Sequence, residues 1–155
     1  MERKIVGFHR DPKNDWAADL ACGHGQHVRH NPPFENRPWV VTEDGRASKL
    51  GVTLNCVRCD ALELPDDFRP YKRTAVFQAE SVPAGLTSSH STKPGVWAKI
   101  QILAGQLRYV VTEPINQAFL LDSEHVGIIA PEVVHYVQPE GAVRFYVEFY
   151  RKPEA

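Results

Sequence analysis

Side chains that bind metals are concentrated in two short segments before residue 60. The first segment, CGHG, holds Cys22 and His24 on either side of a glycine, and the second, CVRC, holds Cys56 and Cys59. Zinc takes four tetrahedral thiolate or imidazole ligands, and two pairs on separate turns can supply them. We therefore predict a structural Zn²⁺ site built from these four residues.

Neighbouring histidines leave the identity of one ligand open. His27 is the main alternative to His24, and His30, which precedes the segment NPPF, is a weaker one. In a second interpretation Cys22 is an apolar core residue and CVRC is incidental. A third treats CVRC as a redox dithiol, which is disfavoured because the motif does not lie between the strand and the helix of a βαβ unit.

Composition and charge limit the classes of function. The 155-residue chain is 43% hydrophobic and 24% charged, with a formal net charge of −1 and both signs mixed along it. This disfavours nucleic acid and membranes as partners. The chain shows no apolar run long enough for a signal peptide or a membrane span, so we expect a cytoplasmic location. Thiols are kept reduced there, which argues against a disulfide framework for the three cysteines.

One basic and aromatic segment follows the first metal-ligand pair. HVRHNPPFENRPW gathers Arg29 and Arg37 beside Phe34 and Trp39. Cations interleaved with aromatic rings can bind single-stranded nucleic acid or an anionic small molecule. A solvated face with core aromatics is the simpler interpretation, because the net charge lends no support to a polyanion partner.

The residues before 60 predict a small α+β unit. KIVGFHR, DWAADLA and QHVRH have the composition of short strands, with CGHG as a tight turn between the last two. TEDGRASKLG predicts a short helix with Thr42 as its N-cap and Gly51 after its end. Such a small unit has little core of its own, which favours stabilisation by a metal.

The residues after 70 predict strands throughout. Seven apolar segments are separated by Gly, Pro, Asn or Asp, a spacing that favours a sandwich or barrel. Alternation is clearest in VRFYVEFY, where odd-numbered positions 143–149 are apolar. The segment LELPDDFRPYK contains an acidic pair and two prolines. We therefore expect a zinc-finger-like domain at 1–62, a linker at 63–70 and a β domain at 71–155.

Both halves resemble known families. Residues 3–60 resemble a bacterial domain family with a CGH-Q-H-V-R-H-x-P-P core and a downstream C-x-x-C, a likeness that implies no activity. HSTKPGVWAKI, LAGQLRY, APEVVH and VRFYVEFYR resemble the tellurite-resistance-protein-like cupins. This second resemblance implies a mainly β fold, a small antiparallel β-barrel or jelly roll with a pocket able to hold a divalent metal.

The cupin resemblance also implies site residues. His90 and His135 match the histidines of its two half-motifs, but Thr92 stands where a second histidine would be expected. Glu148 is our candidate for a carboxylate ligand in the same pocket. Lys93 or Lys99 could bind an anionic substrate.

Tyr146 belongs to the polar face that carries Glu148, and we include it among the substrate-binding candidates. No phosphate-binding glycine loop, serine elbow or pair of catalytic carboxylates is present, so no catalytic residue is assigned.

The expected function is a cytoplasmic metal-binding cupin with a structural zinc unit. It would bind a small anion or oxidant in a stress or tellurite-resistance-type response. The alternatives are a metal-dependent cupin enzyme and a regulatory module whose first unit contacts nucleic acid or a protein. Exposed barrel faces would also allow a homodimer.

Overall fold

A computed structural model describes residues 1–154, which form a mainly β structure. By its internal contacts the chain divides into two compact units, Met1–Arg58 and Cys59–Ala155. The boundary falls inside a single helical turn, Val57–Asp60. Each unit is described separately below.

The first unit contains four strands and two short α-helices. A 3₁₀ turn at Pro38–Val41 directly precedes the first of these helices. The strands are β1 (Glu2–Arg10), β2 (Trp16–Leu20), β3 (Gly25–His27) and β4 (Thr53–Asn55), and the helices are α1 (Glu43–Ala47) and α2 (Val57–Asp60), which crosses the boundary.

The second unit contains six strands and one short helix. They are β5 (Arg69–Arg73), β6 (Phe77–Gln78), α3 (Ala84–Thr87), β7 (Trp97–Glu113), β8 (Gln117–Leu121), β9 (Gly127–Ile129) and β10 (Val134–Arg151).

The sheet of the first unit has the order β3-β2-β1-β4, and all of its pairs are antiparallel. Because β2 and β4 both run against β1, both of them end beside the start of β1. The amide of Ala21 donates to the carbonyl of Lys4, and the amide of Cys56 donates to the carbonyl of Met1. The topology therefore brings the residues that follow β2 and β4 to one end of the sheet.

The predicted helix after residue 42 is present and capped as expected. The hydroxyl of Thr42 accepts a hydrogen bond from the amide of Gly45, and Glu43 and Asp44 occupy the first turn. A side-chain acceptor at the N-cap and acidic residues in the first turn stabilise a helix start. The helix ends at Ala47, earlier than the segment predicted.

The sheet of the second unit is built on two long central strands. β7 and β10 pair along most of their length; β8 and β9 pair with the outer side of β7, and β5 and β6 with the outer side of β10. The strand order β5-β10-β7-β8 has two unpaired edges among residues 1–154. The sheet forms a half-barrel, and the predicted β-barrel or jelly roll of a cupin stays a prediction.

Two glycine segments predicted as turns are instead a bulge within the central pair. Gly105 lies inside β7 and Gly141 inside β10, both with positive φ, of 78° and 75°. Between Glu140 and Val143 the register shifts, so β10 carries two extra residues opposite one step of β7. Glycine tolerates this conformation, so β7 and β10 each continue through a point where the sequence predicted two separate strands.

The core of the second unit lies between the long strands and the segments that cover them. Its largest fully buried side chains include Trp97, Tyr109 and Phe145. No helix among residues 1–154 is both long and apolar enough to span a membrane.

Candidate metal centre and ligand pocket

The four predicted zinc ligands come together at one end of the first sheet. Cys22 and His24 lie in the turn after β2, where Gly23 has a φ of 98°, a conformation that favours glycine. Cys56 follows β4 directly, and Cys59 lies on α2, about one helical turn later. The shared pairing of β2 and β4 with β1 thus brings two short ligand pairs into contact.

The ligand atoms of Cys22, Cys56 and His24 are spaced as a tetrahedral zinc site requires, and the sulfur of Cys59 lies close to them. The Sγ atoms of Cys22 and Cys56 are 3.9 Å apart. Nδ1 of His24 lies 3.4 Å from the first sulfur and 3.2 Å from the second, and all four ligand atoms lie within 4.8 Å of one another. Metal–ligand bonds of about 2.3 Å to sulfur and about 2.0 Å to nitrogen would place sulfurs about 3.8 Å apart and sulfur and nitrogen about 3.5 Å apart.

Burial of the cluster indicates a structural role for a bound metal. Cys22 and Cys59 are fully buried, and His24 and Cys56 are at most 4% exposed. Four protein donors complete a tetrahedral shell and leave no position for substrate, which distinguishes structural from catalytic zinc sites. The cluster fits an ion such as zinc.

The alternative histidines lie elsewhere. Nδ1 of His27 lies 3.2 Å from a carboxylate oxygen of Asp11, and the His27 side chain is exposed. His30 accepts a hydrogen bond from the backbone amide of Arg37. The structure therefore selects His24 as the histidine of the cluster.

The basic and aromatic segment of the first unit is partly neutralised. Arg29 lies 3.7 Å from a carboxylate oxygen of Asp15 and 3.8 Å from one of Glu35. Outside this segment, the guanidinium groups of Arg10 and Arg46 lie 4.5 and 3.8 Å from the centre of the Trp16 ring. Arg29 is therefore engaged within the unit, but Phe34 is 87% exposed and Trp39 is only partly buried, so the prediction that both are core aromatics is wrong for Phe34.

The second unit contains a pocket between its sheet and the segment that precedes β7. Its volume is about 290 Å³, within reach of a small organic molecule. Its wall is mostly apolar and includes Ile100, Ile129, Val137, Phe145 and Val147. Polar side chains also line the pocket and could orient a small ligand: Lys72, Thr74, His90, Ser91, Thr92, Lys93 and His135.

His90 and His135 form a pair in this pocket. Their backbones exchange two hydrogen bonds of 2.9 Å, and their ring centres lie 4.1 Å apart. Nδ1 of His90 lies 2.9 Å from the carbonyl oxygen of Ser88, and Nδ1 of His135 lies 2.9 Å from that of Val133. Because a carbonyl oxygen only accepts, Nδ1 is the donor in both hydrogen bonds. Both Nδ1 atoms are thus occupied by the backbone, and Nε2 is the remaining polar atom of each ring.

His135 is held in the neutral form. Burial lowers the pKa of His135 from 6.5 to about 4, and the neighbouring His90 acts in the same direction, while the carbonyl of Val133 opposes them. The edge of the ring packs against Tyr109 with ring centres 5.7 Å apart. Burial of this phenol raises its pKa above the usual range. The buried end of the pocket is therefore uncharged near neutral pH.

The prediction that Glu148 lies on the side of His135 is wrong. β10 carries the pocket residues at odd positions, and the two extra residues of the bulge preserve this alternation. Glu148 consequently lies on the opposite face, where its carboxylate accepts a hydrogen bond of 2.7 Å from the hydroxyl of Tyr150. The histidine pair and Glu148 do not form one ligand set.

Two of the predicted substrate-binding residues share that opposite face. Lys99 pairs in register with Glu148, and its Nζ lies 5.2 Å from the centre of the Tyr150 ring. Tyr146 packs beneath the guanidinium of Arg73 at 5.3 Å. Neither residue lines the pocket, because both occupy the positions of β7 and β10 that point away from it.

Lys93 lines the pocket, and so does Lys72, which the sequence did not single out. Ser91 and Leu86 also contribute from the segment before β7. Thr92 is structural, since its hydroxyl donates to the carbonyl of Ala130 and accepts from the amide of Glu132. The alternation in VRFYVEFY was a usable signal for the apolar wall, whereas nothing local marked Lys72.

Two family models match the chain. Residues 6–63 match a family described as protein of unknown function (DUF3565), and residues 72–147 match the TehB-like domain. The first match contains all four residues of the metal cluster, and the second contains both histidines of the pocket. The C-terminal half is therefore similar to the TehB-like domain.

A relative and two solved structures agree with the second match. The chain is 29% identical over 72 residues to a Haemophilus influenzae protein named "Probable S-adenosyl-L-methionine-dependent methyltransferase TehB", covering 44% of this chain and 25% of the relative. The crystal structure of TehB from H. influenzae matches with a TM-score of 0.52 and 25% identity, covering 56% of this chain and 32% of that one.

A structural-genomics protein from E. coli strain K12 is similar in fold to this chain. Its TM-score is 0.54 at 21% identity, and the match covers 58% of this chain and 96% of that one. By contrast, the chain spans only about a quarter of the length of the curated TehB relative. The likeness to TehB thus concerns one part of that protein.

Proposed function

We propose that this protein is a metal-binding cupin in which a zinc-stabilised first unit accompanies a small-molecule-binding TehB-like unit. The ligand is a small anion or oxidant with an apolar part, and the protein acts in a tellurite-resistance-type or related stress response. The pocket of about 290 Å³ with apolar walls, His90, His135 and Lys93 carries this proposal.

The composition of the pocket favours an organic ligand over a bare oxyanion. Apolar side chains form most of the wall, so a fully hydrated ion would lose water without replacement hydrogen bonds. Lys72 and Lys93 are exposed pocket residues and can attract a carboxylate or another anionic group. A ligand with an apolar body and one anionic group satisfies both parts of the lining.

A metal-dependent reaction in the pocket has less support. Catalytic zinc sites use three protein ligands and one open position. Among residues 1–154 the only group of three or more clustered His, Cys, Asp or Glu ligands consists of Cys22, His24, Cys56 and Cys59. The pocket offers two imidazoles, so we propose binding as its primary role.

Calorimetric titration of the zinc-loaded protein tests the proposal, with benzoate representing an organic anion and potassium tellurite a bare oxyanion. We expect benzoate to bind and to be displaced by salt. Leu86→Trp fills the pocket and should weaken the affinity for benzoate at least about tenfold. Leu103→Trp lies at an exposed position of β7 outside the pocket and should leave that affinity unchanged. Absence of benzoate and tellurite binding, or equal affinity in both variants, would contradict this role for the pocket.

A further inference from the structure

The histidine pair has an unusual hydrogen-bonding requirement. Each Nδ1 donates to a backbone carbonyl two residues earlier, at 2.9 Å in both cases. A neutral imidazole carries one proton, so both Nε2 atoms then present lone pairs. Two acceptors cannot satisfy one another, although the rings lie only 4.1 Å apart.

Nothing else in the described residues satisfies these two atoms. The contacts of His90 and His135 are the two carbonyl bonds, the backbone pairing and the ring contacts, and none involves Nε2. His135 is 1% exposed, so its Nε2 depends on what occupies the pocket. Nε2 of His135 is not one of the fully buried atoms that lack a partner, so it is reached from the pocket and can accept a hydrogen bond from a molecule that enters it.

A metal ion is one chemistry that accepts lone pairs, but the surroundings disfavour it here. Zinc and related ions in proteins take at least three protein ligands, and the described residues place no carboxylate, thiolate or third imidazole with this pair. Glu148, the expected third ligand, lies on the other face of β10. A hydrogen-bond donor needs only the two acceptors that are present.

We propose that His90 and His135 recognise an O–H or N–H group of a neutral or singly charged organic ligand, whose apolar body packs against Ile100, Ile129 and Phe145. This deepens the proposed function and rests on it. The two adjacent acceptors would select for the donor group, and the lysines of the lining would act only on an additional anionic group.

Phenol and anisole test the inference because they share one ring and differ in the donor. We expect the zinc-loaded protein to bind phenol about tenfold more tightly than anisole, the difference expected for one buried hydrogen bond. The double variant His90→Phe/His135→Phe keeps both rings and removes both acceptors, so the phenol-to-anisole ratio should fall to about one while anisole binding is retained. The imidazole ¹⁵N signals report the same contact directly, and the Nε2 resonances should shift on addition of phenol and not of anisole.

Each contrary result has a distinct meaning. Equal binding of phenol and anisole would overturn the inference and leave the pocket as a binding site. No binding of either compound or of benzoate would overturn the proposed function as well. A protonated Nε2 on either ring at pH 7.5 in the ligand-free protein would remove the first step of the inference. So would a shift of both Nε2 signals with one equivalent of added zinc chloride, since a metal would then be the partner.

Discussion

Two histidines three residues apart illustrate how strongly position decides the role of a side chain. His24 lies in the turn after β2, is 2% exposed, and contacts the sulfurs of Cys22 and Cys56. His27 lies at the end of β3 and faces Asp11 at the surface. The turn geometry set by Gly23, and not residue type, separates a ligand from a surface group.

His24→Ala and His27→Ala are matched variants for the metal centre. We expect the first to lower zinc content and to reduce the thermal stability of the first unit, because bound structural zinc contributes folding free energy directly. The second should retain one equivalent of zinc. Mass-spectrometric metal analysis of protein purified without a metal-chelating tag measures both.

Cys56→Ser extends the test to a thiolate. The substitution should destabilise the first unit while the second retains its fold, because none of the four cluster residues belongs to a strand of the second sheet. Backbone amide signals of β7 and β10 would report the second unit. Full zinc content and an unchanged melting profile in this variant would exclude the cluster as the metal site.

The neutral state of His135 predicts how stability depends on pH. Its pKa is lowered from 6.5 to about 4 in the folded protein, so the unfolded chain binds its proton first as the pH falls. Stability from this group is complete above pH 6.5 and declines between about 6.5 and 4, by on the order of 3 kcal/mol in total. Urea unfolding at several pH values, with His135→Gln as the non-titrating reference, measures the difference. Identical pH dependence in the two proteins would show that His135 titrates normally.

At the scale of elements, the bulge between β7 and β10 distinguishes two glycines of similar φ. A Cβ at Gly105 would lie 2.1 Å from the carbonyl oxygen of Ala142, whereas a Cβ at Gly141 would meet nothing within 4 Å. Gly141→Ala therefore carries only backbone strain, about 1 kcal/mol. Gly105→Ala adds a backbone clash and should cost at least about 3 kcal/mol. Equal unfolding free energies in the two variants would contradict the bulge geometry.

The sequence predicted local features well and long-range ones poorly. The N-cap at Thr42 and the tight turn predicted at residues 22–25 depend on neighbouring residues. The cap is present, and a turn follows β2, although Gly25 already belongs to β3. The open half-barrel and the continuity of β7 and β10 depend on pairing between segments that are distant in the sequence. Turn residues do not indicate which distant segments pair. Glu148 was misplaced because the sequence could not show that the bulge preserves alternation through to His135.

At the scale of the whole molecule, the segment at 63–70 remains a predicted linker. Phe68 is 5% exposed, and β5 begins at Arg69, inside that segment. We therefore expect limited proteolysis to cut first on the exposed residues before Phe68 and to leave a stable C-terminal fragment. Mass spectrometry identifies the cut, and circular dichroism tests the fragment. Resistance of this segment, or an unfolded fragment, would indicate one shared core.

The metal cluster also determines how the stability of the first unit depends on the length of the chain between Cys22 and Cys56. Cys22 and Cys56 are 34 residues apart, so an ion holding both sulfurs closes the intervening chain into a ring, as a covalent cross-link would. By the chain-entropy relation such closure lowers the conformational entropy of the unfolded state, which corresponds to about 4 kcal/mol of stabilisation. That quantity grows only with the logarithm of ring size, by about 0.6 kcal/mol for each doubling. A few extra residues beside the exposed Gly51 should therefore alter the stability of the metal-bound unit only slightly, and variation in the length of this segment is compatible with the same site.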